Sequence, residues 1–137
     1  MEERRGSIME NIWEKDYGPF RVFGYVDHED IDVGELFDEE AGYHIDRMRE
    51  DINQGKKVWA IATAKVYCKG VELGSANIGG LLFDDYEELK KEVFEIDNHD
   101  IVHEALKEAR ASLNYLKDVK APPREQLTSQ FMEGVVR

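Results

Sequence analysis

Residues 58–69 alternate without a break: Val58, Ala60, Ala62, Ala64, Val66 and Cys68 fall on one side of an extended chain, and Trp59, Ile61, Thr63, Lys65, Tyr67 and Lys69 on the other. Side chains of a strand point to opposite faces with a period of two, so this run is a β-strand with one face of small residues. Alanines on that face leave room for a helix to lie close against the sheet. Lys69-Gly70 then offers a tight turn, because glycine accepts a positive φ, and residues 71–83 return as the partner strand. Pairing Cys68 with Val71 sets Tyr67 opposite Glu72 and Val66 opposite Leu73.

The other elements are placed around this hairpin. Ser7-Ile8-Met9-Glu10 has capping-box spacing, which predicts a short helix with Ile8, Ile12 and Trp13 inward, ended by Gly18-Pro19. Phe20 to Val26 reads as a strand with apolar residues on both sides, covered on both faces or by an aromatic cluster. Asp32 and Glu35 repeat the capping-box spacing ahead of an apolar stripe of Leu36, Phe37, Ala41, Ile45, Met48 and Ile52. Gly42 weakens that helix, so its regular part is expected from Tyr43, and Gly55 caps its end. Tyr86, Leu89, Val93 and Ile96 form the stripe of a further helix starting at Asp84 or Asp85. Another runs from Asp97 or Asn98 to about Leu116, with Ile101, Val102, Ala105, Leu106, Ala109, Leu113 and Leu116 inward.

This order predicts an α+β domain: a small antiparallel sheet of about three strands, including the hairpin at 57–83, with helices packed mainly on one face. Residues 1–120 are expected to form that single domain. Pro122-Pro123 opens a tail over 121–137, in which Leu127, Phe131 and Met132 could line a short docking helix.

Charge is the second strong pattern. The chain of 137 residues has a formal net charge of −12, and it is 42% hydrophobic, enough for one folded core. Asp27 to Glu40 holds eight acids and no Lys or Arg; Asp84 to Asp100 holds eight acids against Lys90 and Lys91; Gly55 to Leu82 between them is locally basic. A balance this acidic opposes general nucleic-acid binding, which depends on Lys and Arg neutralising phosphates, and favours basic partners. No apolar run reaches the ~20 residues of a membrane span, and the first residues lack the apolar core of a signal peptide, so a cytoplasmic protein without membrane contact is expected. Cys68, the single cysteine, excludes an intramolecular disulfide and reads as a structural thiol on the small-residue face.

Motifs for chemistry are few. His99 and His103 have the spacing of two metal ligands on one helix, in a His-Asp-x-x-His run similar to the zincin His-Glu-x-x-His pattern. Asp100, one methylene shorter, replaces the glutamate base, and the run coincides with a helix start that already needs Asp97 and Asp100 as caps. The pair is a weak metal candidate. Gly74 to Gly80 has the glycine interval of a phosphate loop without its Lys and Ser/Thr, and lies within a strand, where glycine marks a bulge or a close approach of backbones. An EF-hand begun at Asp30 would place Gly34 and Ala41 at ligand positions, so that motif is absent. No catalytic residue and no cofactor are assigned.

The expectation is therefore a non-enzymatic interaction protein whose acidic faces engage a basic protein surface, such as that of a nucleic-acid-binding protein. In size, acidity, single cysteine and lack of a catalytic signature the chain resembles the small DNA-mimic inhibitors that phages and plasmids direct against host defence systems. Partner contacts are assigned to the acids least needed as caps: Asp27, Glu29, Asp30, Asp38, Glu39 and Glu40, then Glu87, Glu88, Glu92 and Glu95. The alternatives are a metal-dependent protein centred on His99 and His103, and a scaffold or homodimer subunit using strand 20–26 or the tail.

Overall fold

The small-residue face is where the molecule is tightest. In a computed structural model, which describes residues 9–118, Ala62, Ala64 and Val66 are fully buried beneath a long helix whose own contact residues, Ala105 and Ala109, are buried as well. Four strands form one antiparallel sheet in the order β1 (Glu10–Tyr17), β2 (Phe20–His28), β3 (Val58–Cys68) and β4 (Val71–Phe83), each paired with its sequence neighbour. Helix α1 (Val33–Leu36), a 3-10 turn (Glu39–Ala41) and α2 (Ile45–Asn53) are inserted between β2 and β3. After β4 come α3 (Tyr86–Leu89), a π-helical turn (Lys90–Glu95) and the long α4 (Ile101–Asp118). This is an α+β domain, with four strands rather than about three. The expected tail at 121–137 lies outside the described residues.

The extra strand is β1, which occupies the segment expected to be a helix. A bulge between Asn11 and Trp13 inserts Ile12 opposite the Tyr25–Gly24 step, and the Asn11 amide donates to the carbonyls of Trp13 and Gly24, both at 3.1 Å. A bulge lets two consecutive residues lean toward one face. Ile12, Trp13 and Tyr17 thus all pack on the main core, a spacing that imitates a helical stripe. Gly18, at φ +61°, turns the chain into β2.

The β3–β4 hairpin turns on Lys69 and Gly70, both with positive φ, which matches the right-handed twist of the strands. Cys68 pairs with Val71 and Tyr67 with Glu72, as expected. Val66 pairs with Gly74 rather than Leu73, because β4 carries a bulge there. Cys68 is half-buried and packs against the main core.

Two glycines set how near the helical layer comes. A Cβ on Gly74 would stand 2.3 Å from the Ala105 carbonyl oxygen and 2.7 Å from the Ala109 nitrogen, so α4 crosses β4 in backbone contact. Glu108 fixes the crossing by accepting the Ser75 amide at 2.7 Å. A Cβ on Gly24 would lie 2.8 Å from the ring of Phe94, which is fully buried and stacks on Trp13 at 5.4 Å. Phe94 reaches this site because the π-turn, with Ile96 donating to the Lys91 carbonyl at 2.8 Å, adds a residue to the helical repeat. Val93 and Phe94 then both face the sheet, and Ile96, expected inward, is 51% exposed. Leu116, also expected inward, is exposed at the far end of α4.

Among the described residues, the opposite face of the sheet is covered at one end. Trp59, next to the core-facing Ala60, packs with Val33 and Ile45 and with Phe37, Met48, Ile52 and Leu82, so α1 and α2 form a second small core there. The expected single helix is broken because Gly42 sits at φ +97° and ends the 3-10 turn.

Gly74→Ala is expected to cost about 2 kcal/mol or more, since its methyl meets helix backbone that cannot move aside, whereas Gly24→Ala meets only a ring edge. Urea unfolding monitored by circular dichroism should rank Gly74→Ala as the less stable of the two.

Candidate protein-binding surface

The register brings the starts of both acidic blocks to one end of the sheet. Asp27 pairs with Ile61 and His28 with Ala60, while Val58 pairs with Phe83, so β2 and β4 both finish where β3 begins. The first block leaves β2 into α1 and α2, on the Trp59 face; the second leaves β4 into α3, on the Ala60 face. The starts of the blocks therefore flank the same sheet end from opposite faces, and the second block then runs along the sheet, with Phe94 over Gly24 and Asp97 near Tyr17. Lys57 stands at that end in an ion pair with Asp84, and the hydrogen bond to Asp84 raises the lysine pKa.

Within the first block, only part of the charge is presented to solvent. Glu29 was expected to contact a partner, but it is 5% exposed and is the buried charged residue of the described domain. Its carboxylate accepts the Gly80 amide at 2.7 Å and the Ile31 amide at 3.2 Å. It reaches across β3 because Gly79 has no side chain: a Cβ there would stand 2.5 Å from Glu29 Oε1. Gly80, at φ +68°, forms the bulge that turns its amide toward the carboxylate. The Glu29 amide donates to the Trp59 carbonyl at 3.1 Å, and the Trp59 indole donates to the Ile31 carbonyl at 2.8 Å. Glu29 is thus the clasp that holds the α1–α2 segment to β4, which removes it from any binding surface.

Asp27 is half-buried and accepts the His28 amide at 2.7 Å. Asp32 caps α1 through Gly34 and takes Arg49 in a two-pronged pair, Nε to Oδ1 at 3.0 Å and Nη2 to Oδ2 at 2.7 Å. The Arg49 hydrogen bonds, helped by the Gly34 amide, hold the Asp32 carboxyl down to about 2. Asp38 caps the 3-10 turn by accepting the Glu40 amide at 2.9 Å. Asp30, Glu39 and Glu40 are exposed, with no carboxylate partner among the described residues.

The second block divides in the same way. Asp85 accepts the Glu88 amide at 2.8 Å and Glu88 accepts the Asp84 amide at 2.8 Å, so both carboxylates cap α3. Glu92 is half-buried and accepts the Asn98 side-chain amide. Glu87 makes only a surface pair with Lys90 at 3.4 Å, and Glu95 is exposed without a partner among the described residues. Of the ten acids assigned to partner contact, Asp30, Glu39, Glu40 and Glu95 remain uncommitted, and Glu87 is held only by its surface pair. The pattern of acids alone also passed over Asp46 and Glu50, exposed on α2 beside Glu39, although Arg47 lies among them.

The histidine pair does not have helical spacing. His103 lies in the first turn of α4, but His99 precedes the helix, and Asp100 between them has φ +61°. The helix start is instead capped by Asp97, whose carboxylate accepts the amides of Val102 at 3.0 Å and His103 at 2.9 Å. Among the described residues, no group of three or more His, Cys, Asp or Glu is placed to hold a metal ion, and no helix is long and apolar enough to cross a membrane.

These features define a small α+β domain with a four-stranded antiparallel meander, a backbone-close helix on one face and acidic helical segments at one end. No protein family, curated protein or solved structure matches the chain.

Because Glu29 satisfies two amides inside the fold, Glu29→Ala is expected to cost about 3 kcal/mol, by unsatisfied donors and a cavity together. Chemical denaturation should show this loss. Asp32 gives a pH signature. Its folded pKa lies below the ordinary 3.8, so its stabilisation is complete above that value and is lost as pH falls toward about 2. Thermal melts of Asp32→Asn should therefore lie below wild type at neutral pH and converge with it in acid.

Proposed function

We propose that this protein is a non-enzymatic binding protein that occupies a basic, nucleic-acid-binding surface of another protein, in the manner of a DNA-mimic inhibitor. The reading rests on one observation: after caps and ion pairs are set aside, Asp30, Glu39, Glu40 and Glu95 remain as exposed carboxylates, the first three together on the segment that follows β2 at one end of the sheet. Carboxylates that no cation of the described domain neutralises are held apart from each other on short, capped helical segments. Such an array presents fixed negative points to a basic groove and steers a cationic partner from a distance. Lys15, Arg21, Lys65 and Lys69 sit toward the other end, near the two hairpin turns, while Arg47, Arg49, Lys57 and Lys90 stand among the acids.

The test uses the full chain and a panel of basic DNA-binding proteins, including the nucleases and regulators of restriction and CRISPR systems. Binding measured by calorimetry should weaken steeply between low and high salt and should be displaced by duplex DNA. The quadruple variant Asp30→Asn, Glu39→Gln, Glu40→Gln, Glu95→Gln should lose about tenfold or more in affinity while keeping its melting temperature, because none of the four is engaged in the fold. Salt-independent binding, or full binding by that variant, would sink the proposal.

A further inference from the structure

The sheet face opposite α4 carries a patch unlike the rest of the molecule. Beyond the Trp59 end, it presents Arg21, Phe23 and Tyr25 from β2 and Thr63, Lys65 and Tyr67 from β3, with Glu14 and Asp16 of β1 and Glu72 of β4 sharing the same face by register. No described helix covers this region, and Phe23, Tyr25 and Tyr67 keep only intermediate burial. The rings touch one another: Phe23 meets Tyr67 edge-on at 5.4 Å and lies 6.3 Å from Tyr25. Arg21 lies over Phe23 at 5.8 Å and Lys65 over Tyr25 at 5.7 Å. A groove of about 670 Å³ opens along this face between Phe23, Tyr25, Tyr67, Pro19 and Gly70, with Lys69 on its rim.

The charge of the patch decides which occupant fits. Arg21, Lys65 and Lys69 face Glu14, Asp16 and Glu72, so in a chain of net charge −12 this area is balanced. Its charges are already organised in pairs: Arg21 with Glu14 at 3.2 Å and with Asp16 at 2.6 Å, and Lys65 with Glu72 at 4.0 Å. A nucleic acid would need a cationic excess, which is absent here, and a strongly basic protein would find its complement at the other end of the sheet. An aromatic surface that carries both signs in equal number has what a two-fold symmetric contact needs, opposite charges to set against those of a second copy. We infer that this face is a homodimer interface, in which Phe23, Tyr25 and Tyr67 of two copies pack together. Arg21 and Lys65 of each copy then lie within reach of Glu14, Asp16 and Glu72 of the other.

The arrangement has a salt signature opposite to that of the acidic end. Outside the patch the two copies repel, and screening with a Debye length of ~8 Å at physiological ionic strength weakens that repulsion while leaving the packed aromatic contact in place. Dimerisation should therefore tighten as salt rises from low to physiological, where binding of a basic partner weakens.

Sedimentation equilibrium of the full chain over a range of concentrations and salts tests this. The expected result is a reversible monomer–dimer equilibrium that strengthens with salt. Tyr25→Glu should weaken it by about tenfold or more. Lys65→Glu, which leaves every ring in place, should weaken it in the same direction and guards against a folding defect in the first variant. A chain ending at Asp118 should still dimerise. A monomer at every concentration overturns the inference, as does a dimer indifferent to both substitutions. A dimer lost on removing residues 119–137 overturns it too, since that segment would then form the contact. Loss of dimerisation with basic-partner binding intact leaves the proposed function untouched, and the converse leaves the dimer untouched.

Discussion

Everything in this domain is arranged around the contact between α4 and the small-residue faces of β3 and β4. At Gly74 the helix backbone comes so near that no side chain fits, and Ala62, Ala64, Ala105 and Ala109 line the remaining seam. Alanine and glycine contribute little apolar area per residue, so the gain here comes from close packing along two regular backbones rather than from large side chains. The volume missing from this seam is supplied beside it, where Phe94 fills the space over Gly24 and stacks on Trp13. The π-turn is the local cost of that placement, because an extra residue in the repeat is what points Phe94 inward.

The second organising interaction is the Glu29 clasp. A carboxylate is expensive to bury, and it is tolerated where several donors satisfy it. Here the bulge at Gly79-Gly80 supplies both the space and one donor, and the following turn supplies the other. Since the α1–α2 segment otherwise rests on the small Trp59 core, this clasp fixes how Asp30, Glu39 and Glu40 stand relative to the sheet. A residue that looks like one more member of an acidic run thus positions the rest of that run.

The division of charge follows from these two contacts. The segment after β2 gathers Asp30, Glu39 and Glu40 at one end of the sheet, while the face toward the hairpin turns that no described helix covers carries aromatics with balanced charge. Asp32, Asp38, Asp85, Glu88 and Asp97 belong to neither surface, because their carboxylates serve backbone amides at element starts. Net charge alone overstates the acidity available to a partner, and the capping geometry says by how much.

The strand at 58–68, its turn at Lys69-Gly70, the closeness of a helix to the alanine face and the capping duties of Asp32, Asp85 and Asp97 were all legible in the sequence, because each depends on local periodicity or on one side chain reaching a nearby amide. The strand character of residues 10–17 was not, since a single bulge at Ile12 gave Ile12, Trp13 and Tyr17 the spacing of a helix face. The burial of Glu29 was not legible either: its partner Gly80 lies fifty-one residues away, brought near by the register of β2 on β3 and β3 on β4. The same non-local pairing placed the starts of the two acidic blocks at one end and left Phe23, Tyr25 and Tyr67 together on a face that no described helix covers. Outside residues 10–17, sequence by itself determined which segments extend, coil and turn, because those choices rest on contacts within a few residues. Only the tertiary structure decided which acids are structural and which face solvent, because that depends on which distant strands become neighbours.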